Sequence, residues 1–137
     1  MASSGTTTTV RKLTPVLVVE HIEPSLQFWT ERLGFEKTVE VPEGDRLGFV
    51  ILVGNGVEIM YQSRASVQSD VPAIAAMRGG EATALFVEVA DIGVVERAMA
   101  DLDKIVPRRT TFYGMEEIGV REPGGHVVIF AQPAAKA

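Results

Sequence analysis

The chain has 137 residues, of which 46% are hydrophobic and 23% are charged. This length suits one domain with a buried core and is too short for two ordinary domains. Thirteen basic and 18 acidic residues give a net charge of −5, which argues against a general nucleic-acid or anionic-membrane surface and mildly favours a cationic ligand. The absence of cysteine excludes disulfides, thiolate catalysis and cysteine-based zinc sites.

The polar start of the chain predicts both the cellular location of the protein and the point at which its domain begins. Residues 1–9 lack the basic region and the apolar stretch of a signal peptide, so residues 1–11 are predicted to be a flexible tail. No apolar run approaches the roughly 18 residues of a membrane span. We therefore expect a cytoplasmic protein with one domain over residues 12–132 and a second short tail over residues 133–137.

The first half of the domain, residues 12–62, predicts a strand, a helix and three further strands. An apolar strand at about 13–19 precedes a helix that starts near Pro24 and ends before Gly34. The later strands are predicted over residues 35–41, 47–53 and 57–62. The Gly54-Asn-Gly56 sequence between the last two is typical of a tight hairpin.

The second half, residues 82–132, repeats this order after a connector at 63–81 that carries a short helix from Ser69 to Met77. Asp91 is predicted to cap the helix of this half, which runs to about Leu102. The strands are predicted over residues 83–89, 105–112, 117–121 and 126–131. The two halves match in pattern far more than in residue identity, so we interpret them as two βαβββ modules.

Three stretches of the sequence resemble one known family. They are Thr14-Pro-Val-Leu17, Ser25-Leu-Gln-Phe-Trp-Thr-Glu-Arg-Leu-Gly-Phe35, and the run from Tyr113-Gly114 through Arg121-Glu-Pro-Gly-Gly125 to Phe130. They are similar to the vicinal-oxygen-chelate superfamily, and look closest to its bleomycin-resistance branch. The resemblance covers residues 12–132. It implies an α+β fold in which two paired βαβββ modules form a curved, open mixed sheet around a cleft.

The resemblance also indicates where a metal would bind. In metal-using members, the ligands come from the first and the last strand of each module. Carried over by position, these sites fall at Thr14, Glu58, Ala84 and Ile129. One carboxylate beside a threonine and two apolar side chains is a poor donor set for a divalent ion. The resemblance therefore implies a protein without a metal or other cofactor, and we predict no catalytic residue.

A set of acidic, aromatic and apolar side chains is the candidate ligand site. Strand alternation places Glu58 and Met60 on one face of their strand, and Phe86 and Glu88 on one face of theirs. Two carboxylates in an apolar cup would favour a cation, and aromatic rings could stack on a planar ligand. The candidate ligand-binding residues are Phe49, Glu58, Met60, Phe86, Glu88, Phe112 and Tyr113.

Several of these residues also have a structural interpretation. Glu58 could pair with an arginine such as Arg46, Arg109 or Arg121, or could face solvent, and Glu88 could form a salt bridge at the end of its strand. The aromatic pair at 112–113 could pack at a dimer seam. Of the other notable side chains, Trp29 is expected in the core, and the two histidines, His21 and His126, are expected to be capping or surface groups.

Three functions remain open from the sequence. The first is a metal-free binding protein of the bleomycin-resistance type, which sequesters a cationic, partly aromatic small molecule in the cleft of a homodimer. The resemblance allows exchange of the first strand in such a dimer, with Pro15 as the hinge. The second is a divergent glyoxalase-like, metal-dependent lyase or isomerase. The third is a relative that shares the fold alone and binds an unrelated ligand.

Overall fold

The computed structural model describes residues 8–9, 11–78 and 83–135, so the rest of both predicted tails and part of the predicted connector lie outside the described residues. The strands are β1 Val16–Val19, β2 Glu36–Glu43, β3 Arg46–Gly54, β4 Val57–Ser63, β5 Ala84–Glu88, β6 Lys104–Thr110, β7 Met115–Arg121 and β8 Val127–Pro133. The helices are α1 Ile22–Gln27, which continues as a π-helical turn over Phe28–Arg32, α2 Arg64–Asp70, α3 Pro72–Ala75 and α4 Ile92–Ala98.

The strands form two open mixed sheets of four, in the orders β1-β4-β3-β2 and β5-β8-β7-β6. In each sheet the first strand of the module is parallel to the last, and the other pairings are antiparallel. The helix between the first and second strands supplies the crossover that separates them. The predicted α+β fold of two βαβββ modules is confirmed.

Two of the local sequence patterns produce the predicted geometry. Asn55 and Gly56 have positive φ angles of 51° and 80°, which the tight turn between β3 and β4 requires. At the start of α4, the Asp91 carboxylate accepts a hydrogen bond of 2.9 Å from the backbone N–H of Gly93. That bond satisfies one of the free donors at the helix start, as predicted for an N-cap.

Alternate strand residues and one face of the helices build a single core. Successive side chains of a strand point to opposite faces, so every second residue of the inner strands is buried against α1 or α4. Both sheets and both helices contribute to one cluster, which is why the modules form one body. Its members include Leu17, Val19, Phe28, Trp29, Val50, Leu52, Ile59, Tyr61, Ile92, Met99, Ile118, Val120, Val128 and Phe130.

A buried chain of hydrogen bonds joins the two modules inside this core. Trp29 Nε1 donates to the Tyr61 hydroxyl at 2.9 Å, and that hydroxyl donates to Glu122 Oε2 at 3.0 Å. The backbone N–H of His126 donates to the other oxygen of Glu122 at 2.8 Å. Burial, together with the neighbouring Glu122 charge, raises the pKa of Tyr61. Trp29 is therefore a core residue, as predicted.

The expectation of a capping or surface role is confirmed for His21, which is a surface group, and fails for His126. His126 is half-buried, and its Nε2 lies 3.1 Å from the carbonyl oxygen of Val18 in the other module. The surface interpretation of His126 is wrong because this bond holds the β7–β8 turn against β1. His21 is exposed at the N-cap position of α1, but its side chain makes no capping hydrogen bond.

The turn between β6 and β7 starts earlier than the sequence indicates. The backbone N–H of Thr111 donates to the Met115 carbonyl at 2.7 Å, and the Thr111 hydroxyl accepts from the Met115 N–H at 3.0 Å. These two bonds close the turn and end β6 at Thr110. Phe112, predicted at the end of a strand, therefore lies in the turn beside Tyr113.

The connector also folds earlier than predicted. Ser63 Oγ accepts a hydrogen bond of 3.2 Å from the Ser66 N–H, so α2 begins at Arg64 rather than near Ser69. Pro72 then starts α3 as a separate short helix. None of the helices in the described part of the chain is both long and apolar enough to cross a membrane.

Candidate functional site

One face of the first sheet carries three of the predicted ligand-binding residues. Glu58 and Met60 of β4 are half-buried, whereas Ile59 and Tyr61 between and beside them are core residues. Phe49 of β3 is half-buried too and pairs with Gln62 of β4, so it lies on the same face. The predicted alternation along β4 is confirmed, and it leaves this face free of core packing.

A cavity of about 350 Å³ brings one of these residues together with the second module. It lies where the segment before β1 and the start of β4 meet β5, and Glu58 and Phe86 both line it. Phe86 is 52% exposed, so its ring is accessible from this space. Other lining residues are Lys12, Leu13, Thr14, Trp29, Phe35 and Val57.

The carboxylate of Glu58 is satisfied by the chain itself. Lys12 Nζ lies 2.7 Å from Glu58 Oε1, and the Thr14 hydroxyl donates to the same oxygen at 3.1 Å. The hydrogen bond from Lys12, with a smaller contribution from Thr14, lowers the pKa of Glu58 against the opposing effect of burial. Glu58 is therefore ionised at neutral pH and paired with the Lys12 ammonium.

The expected arginine partners of Glu58 are occupied elsewhere, so that interpretation is wrong. Arg46 pairs with Glu23, and Arg109 pairs with Glu117. Arg121 donates to the carbonyl oxygen of Gly125. A lysine upstream of β1 takes the role because the parallel pairing of β1 with β4 places that segment beside Glu58.

The four positions at which the resemblance places a metal, Thr14, Glu58, Ala84 and Ile129, do not fit a divalent ion here. Glu58 and the threonine beside it offer one carboxylate and one hydroxyl. In the second module, the pairing of β5 with β8 sets Ala84 opposite Val127 and Phe86 opposite Ile129, and none of these is a donor. Across the described ranges, no group of three or more histidine, aspartate or glutamate residues is close enough to bind one ion.

The remaining candidates lie on the second module and outside this cavity. Glu88 is exposed at the end of β5, and no ion pair involves it among the described residues. Phe112 is 99% exposed and Tyr113 is 52% exposed, with their ring centroids 5.0 Å apart at an angle of 88°. The structure therefore joins Glu58 with Phe86, but it does not bring Glu58 and Glu88 into one cluster.

Glu117 is a buried carboxylate that the sequence analysis missed. Its side chain is 1% exposed, and its Oε2 accepts from Arg109 Nη2 at 2.6 Å and from Nε at 2.8 Å. The hydroxyl of Tyr113 donates to Oε1 at 3.1 Å. The sequence carried only a partial signal: Arg109 and Glu117 are opposite charges at similar distances from the predicted turn, but the register that pairs them in β6 and β7 could not be read from it.

The family is decided by a match over nearly the whole domain. The profile of the glyoxalase/bleomycin resistance protein/dioxygenase superfamily matches residues 11–130. The chain belongs to this superfamily. No curated protein matches the sequence significantly.

Solved structures agree with this assignment at the level of the fold. A glyoxalase/bleomycin resistance protein/dioxygenase from Nocardioides has 19% identity and a TM-score of 0.73, over 98% of this chain and 91% of the other. A Burkholderia phytofirmans family enzyme has 14% identity and a TM-score of 0.72, over 88% and 96%. The bleomycin-binding protein of Streptomyces verticillus, solved with copper(II)-bleomycin, has 21% identity and a TM-score of 0.61, over 95% and 100%.

Proposed function

We propose that this superfamily member is a metal-independent binding protein that sequesters a cationic, partly aromatic small molecule in the cavity of Glu58 and Phe86. The observation that carries the proposal is an ionised carboxylate facing apolar and aromatic walls. The bleomycin-binding protein among its structural neighbours supports a binding role. The poor donor set at the family's metal positions supports independence from a metal.

The pairing of Lys12 with Glu58 supports a cationic ligand. Its ammonium occupies the position that a ligand cation would take, 2.7 Å from Glu58, while 62% of its side chain is exposed. An exposed lysine is held weakly, because solvent screens the pair and ordering its long side chain costs entropy. A ligand cation that also contacts the Phe86 ring would replace Lys12, since cation–π contacts add about 0.5–2 kcal/mol that Lys12 does not gain there.

The exposed pair Phe112 and Tyr113 supports a homodimer as the binding form. A fully exposed phenylalanine ring in edge contact with a half-exposed tyrosine is a small apolar patch in the turn between β6 and β7. In the proposed dimer a second copy covers this patch. Light scattering checks it: the wild type should have the mass of two chains, and Phe112→Ser should shift the equilibrium toward the monomer. A wild type that is still monomeric at a concentration of about 100 µM would contradict the proposed homodimer.

Calorimetric titration with bleomycin and with phenyltrimethylammonium tests the ligand class. Glu58→Gln should weaken binding by about 10- to 150-fold, because a charge-assisted contact contributes about 1.5–3 kcal/mol. Lys12→Met should tighten it, because the competing ammonium is gone. Glu36→Gln, which changes an exposed glutamate of β2, is the matched control and should leave the affinity unchanged.

Two results would count against the proposal. Equal affinity for phenyltrimethylammonium and neutral benzyl alcohol would show that Glu58 does not select a cationic ligand. Stoichiometric nickel, zinc, manganese or iron in the purified protein would replace metal-independent binding with the metal-dependent lyase or isomerase alternative.

A further inference from the structure

A second and larger cavity, of about 500 Å³, has the opposite charge character. It lies between β1, the start of β5, the connector helices and the β7–β8 turn. Its charged or titratable lining groups are Arg64, Arg78 and His126, and no carboxylate lines it among the described residues. This distinguishes it from the cavity of Glu58, which is built around an acid.

The two arginines converge on a single atom. Arg64 Nη1 donates to the carbonyl oxygen of Ala75 at 2.9 Å, and Arg78 Nη1 donates to the same oxygen at 3.0 Å. The two guanidinium nitrogens therefore lie no more than about 6 Å apart, since each is about 3 Å from one oxygen. A neutral carbonyl cannot balance two positive charges, so the pair attracts an anion.

The neighbouring carboxylate of Glu20 offsets only part of the positive charge of the two arginines. Glu20 Oε2 lies 3.2 Å from Arg64 Nε, but 74% of the Glu20 side chain is exposed, and such a pair is weak. Arg78 is exposed and bonds to two backbone carbonyls, of Ala75 and Met77. Guanidinium N–H groups therefore remain available for a bidentate partner.

Apolar side chains form most of the remaining lining, beside Thr83, His126 and two glycines. Val16 and Val18 of β1 and Leu85 of β5 form one side, and Ile74 and Met77 form the side next to the arginines. Val16, Ile74 and Met77 are 49%, 43% and 63% exposed. Covering these side chains would remove apolar area from water, which stabilises a bound aliphatic chain or ring.

We propose that this cavity binds an amphipathic monoanion, with its carboxylate on the paired guanidinium groups of Arg64 and Arg78 and its apolar body between β1, Leu85 and Ile74. Glu20 acts as an internal competitor for Arg64. Among the described residues, the two cavities share only Leu85 in their linings, and the charged groups of one do not line the other, so either site can exist without the other.

Calorimetric titration of the full chain with octanoate tests the proposal, with octylamine, 1-octanol and acetate as comparison probes. Octanoate should bind once per chain, and the three comparison probes at least tenfold more weakly. Arg78→Met should weaken octanoate binding about tenfold, whereas Glu20→Gln should strengthen it severalfold. Arg97→Met, an exposed arginine of α4 outside both cavities, is the matched control.

Methyl NMR locates the bound chain. Octanoate should shift the signals of Val16, Ile74 and Met77, which line this cavity only, and the shifts at Ile74 and Met77 should be lost in Arg78→Met. Equal binding of octanoate and octylamine, an Arg78→Met affinity like that of wild type, or octanoate shifts confined to Ile59 in the other cavity would each overturn the proposal. Octanoate binding that survives in Glu58→Gln separates this result from the fate of the proposed function.

Discussion

Removing the Tyr61 hydroxyl should destabilise the protein by about 2–5 kcal/mol. In Tyr61→Phe, the Trp29 indole N–H loses its acceptor and Glu122 Oε2 loses its donor, both at buried positions. Each buried polar group left unpaired costs about 1–3 kcal/mol, and more for a charged group. Against a typical total stability of about 5–15 kcal/mol, the loss is a large fraction.

The same substitution should change how stability depends on pH. The ordinary tyrosine pKa is 10.0, and burial beside Glu122 raises the pKa of Tyr61 above it. Above pH 10 the unfolded chain ionises this hydroxyl, while the folded protein keeps it protonated. The contribution of Tyr61 to the free energy of unfolding is therefore complete below pH 10 and falls above it, by up to about 1.4 kcal/mol per pH unit. The penalty of Tyr61→Phe should therefore shrink between pH 10 and 11.

Urea unfolding followed by fluorescence of Trp29, the single tryptophan, measures both effects. Tyr113→Phe is a matched control, because it deletes a hydroxyl that also donates to a buried glutamate but sits on a half-exposed ring. Water can reach this part-buried site and replace the lost donor, and Arg109 still pairs with Glu117, so the penalty should stay below about 1 kcal/mol. A Tyr61→Phe penalty below about 0.5 kcal/mol, or one that is constant from pH 8 to 11, would refute the reasoning.

Three further substitutions test separate contacts by thermal unfolding. Asp91→Ala should cost about 1 kcal/mol through loss of the α4 cap, and Asp91→Asn much less; equal losses would contradict the capping role. Glu117→Gln should cost about 1–3 kcal/mol, because it breaks a buried pair whose partner Arg109 is half-exposed; full stability would show that the pair is immaterial. Gly124→Ala should cost about 1–3 kcal/mol, because its Cβ would lie 2.5 Å from Val19 Cγ1, and an unchanged melting temperature would exclude this clash.

The sequence was most informative where the chemistry is local. The turn at Asn55-Gly56 and the cap at Asp91 depend on a few consecutive residues, so their types predict them. The bond from Tyr61 to Glu122 joins residues 61 positions apart, and no local pattern marks such a pair. The sheet-face alternation around Glu58 was likewise predictable, because it needs only the strand period of two.

The partners of the acidic side chains were the part that could not be predicted. Glu58 has many basic residues available, and the choice of Lys12 depends on the parallel placement of the segment before β1 beside β4. Glu117 was missed because glutamate is usually exposed; Arg109 beside it and the Tyr113 hydroxyl make its burial tolerable. Both outcomes depend on register, which composition and periodicity leave undetermined.

The division of β4 into two faces has a consequence for how this protein can change over evolutionary time. Ile59 and Tyr61 carry the packing that holds the fold, while Glu58 and Met60 point away from it. Substitutions at the second pair therefore escape most of the selection that acts on folding. A new ligand preference can therefore arise on this strand with little loss of thermal stability. Relatives with the same core are free to differ in the ligands that they bind.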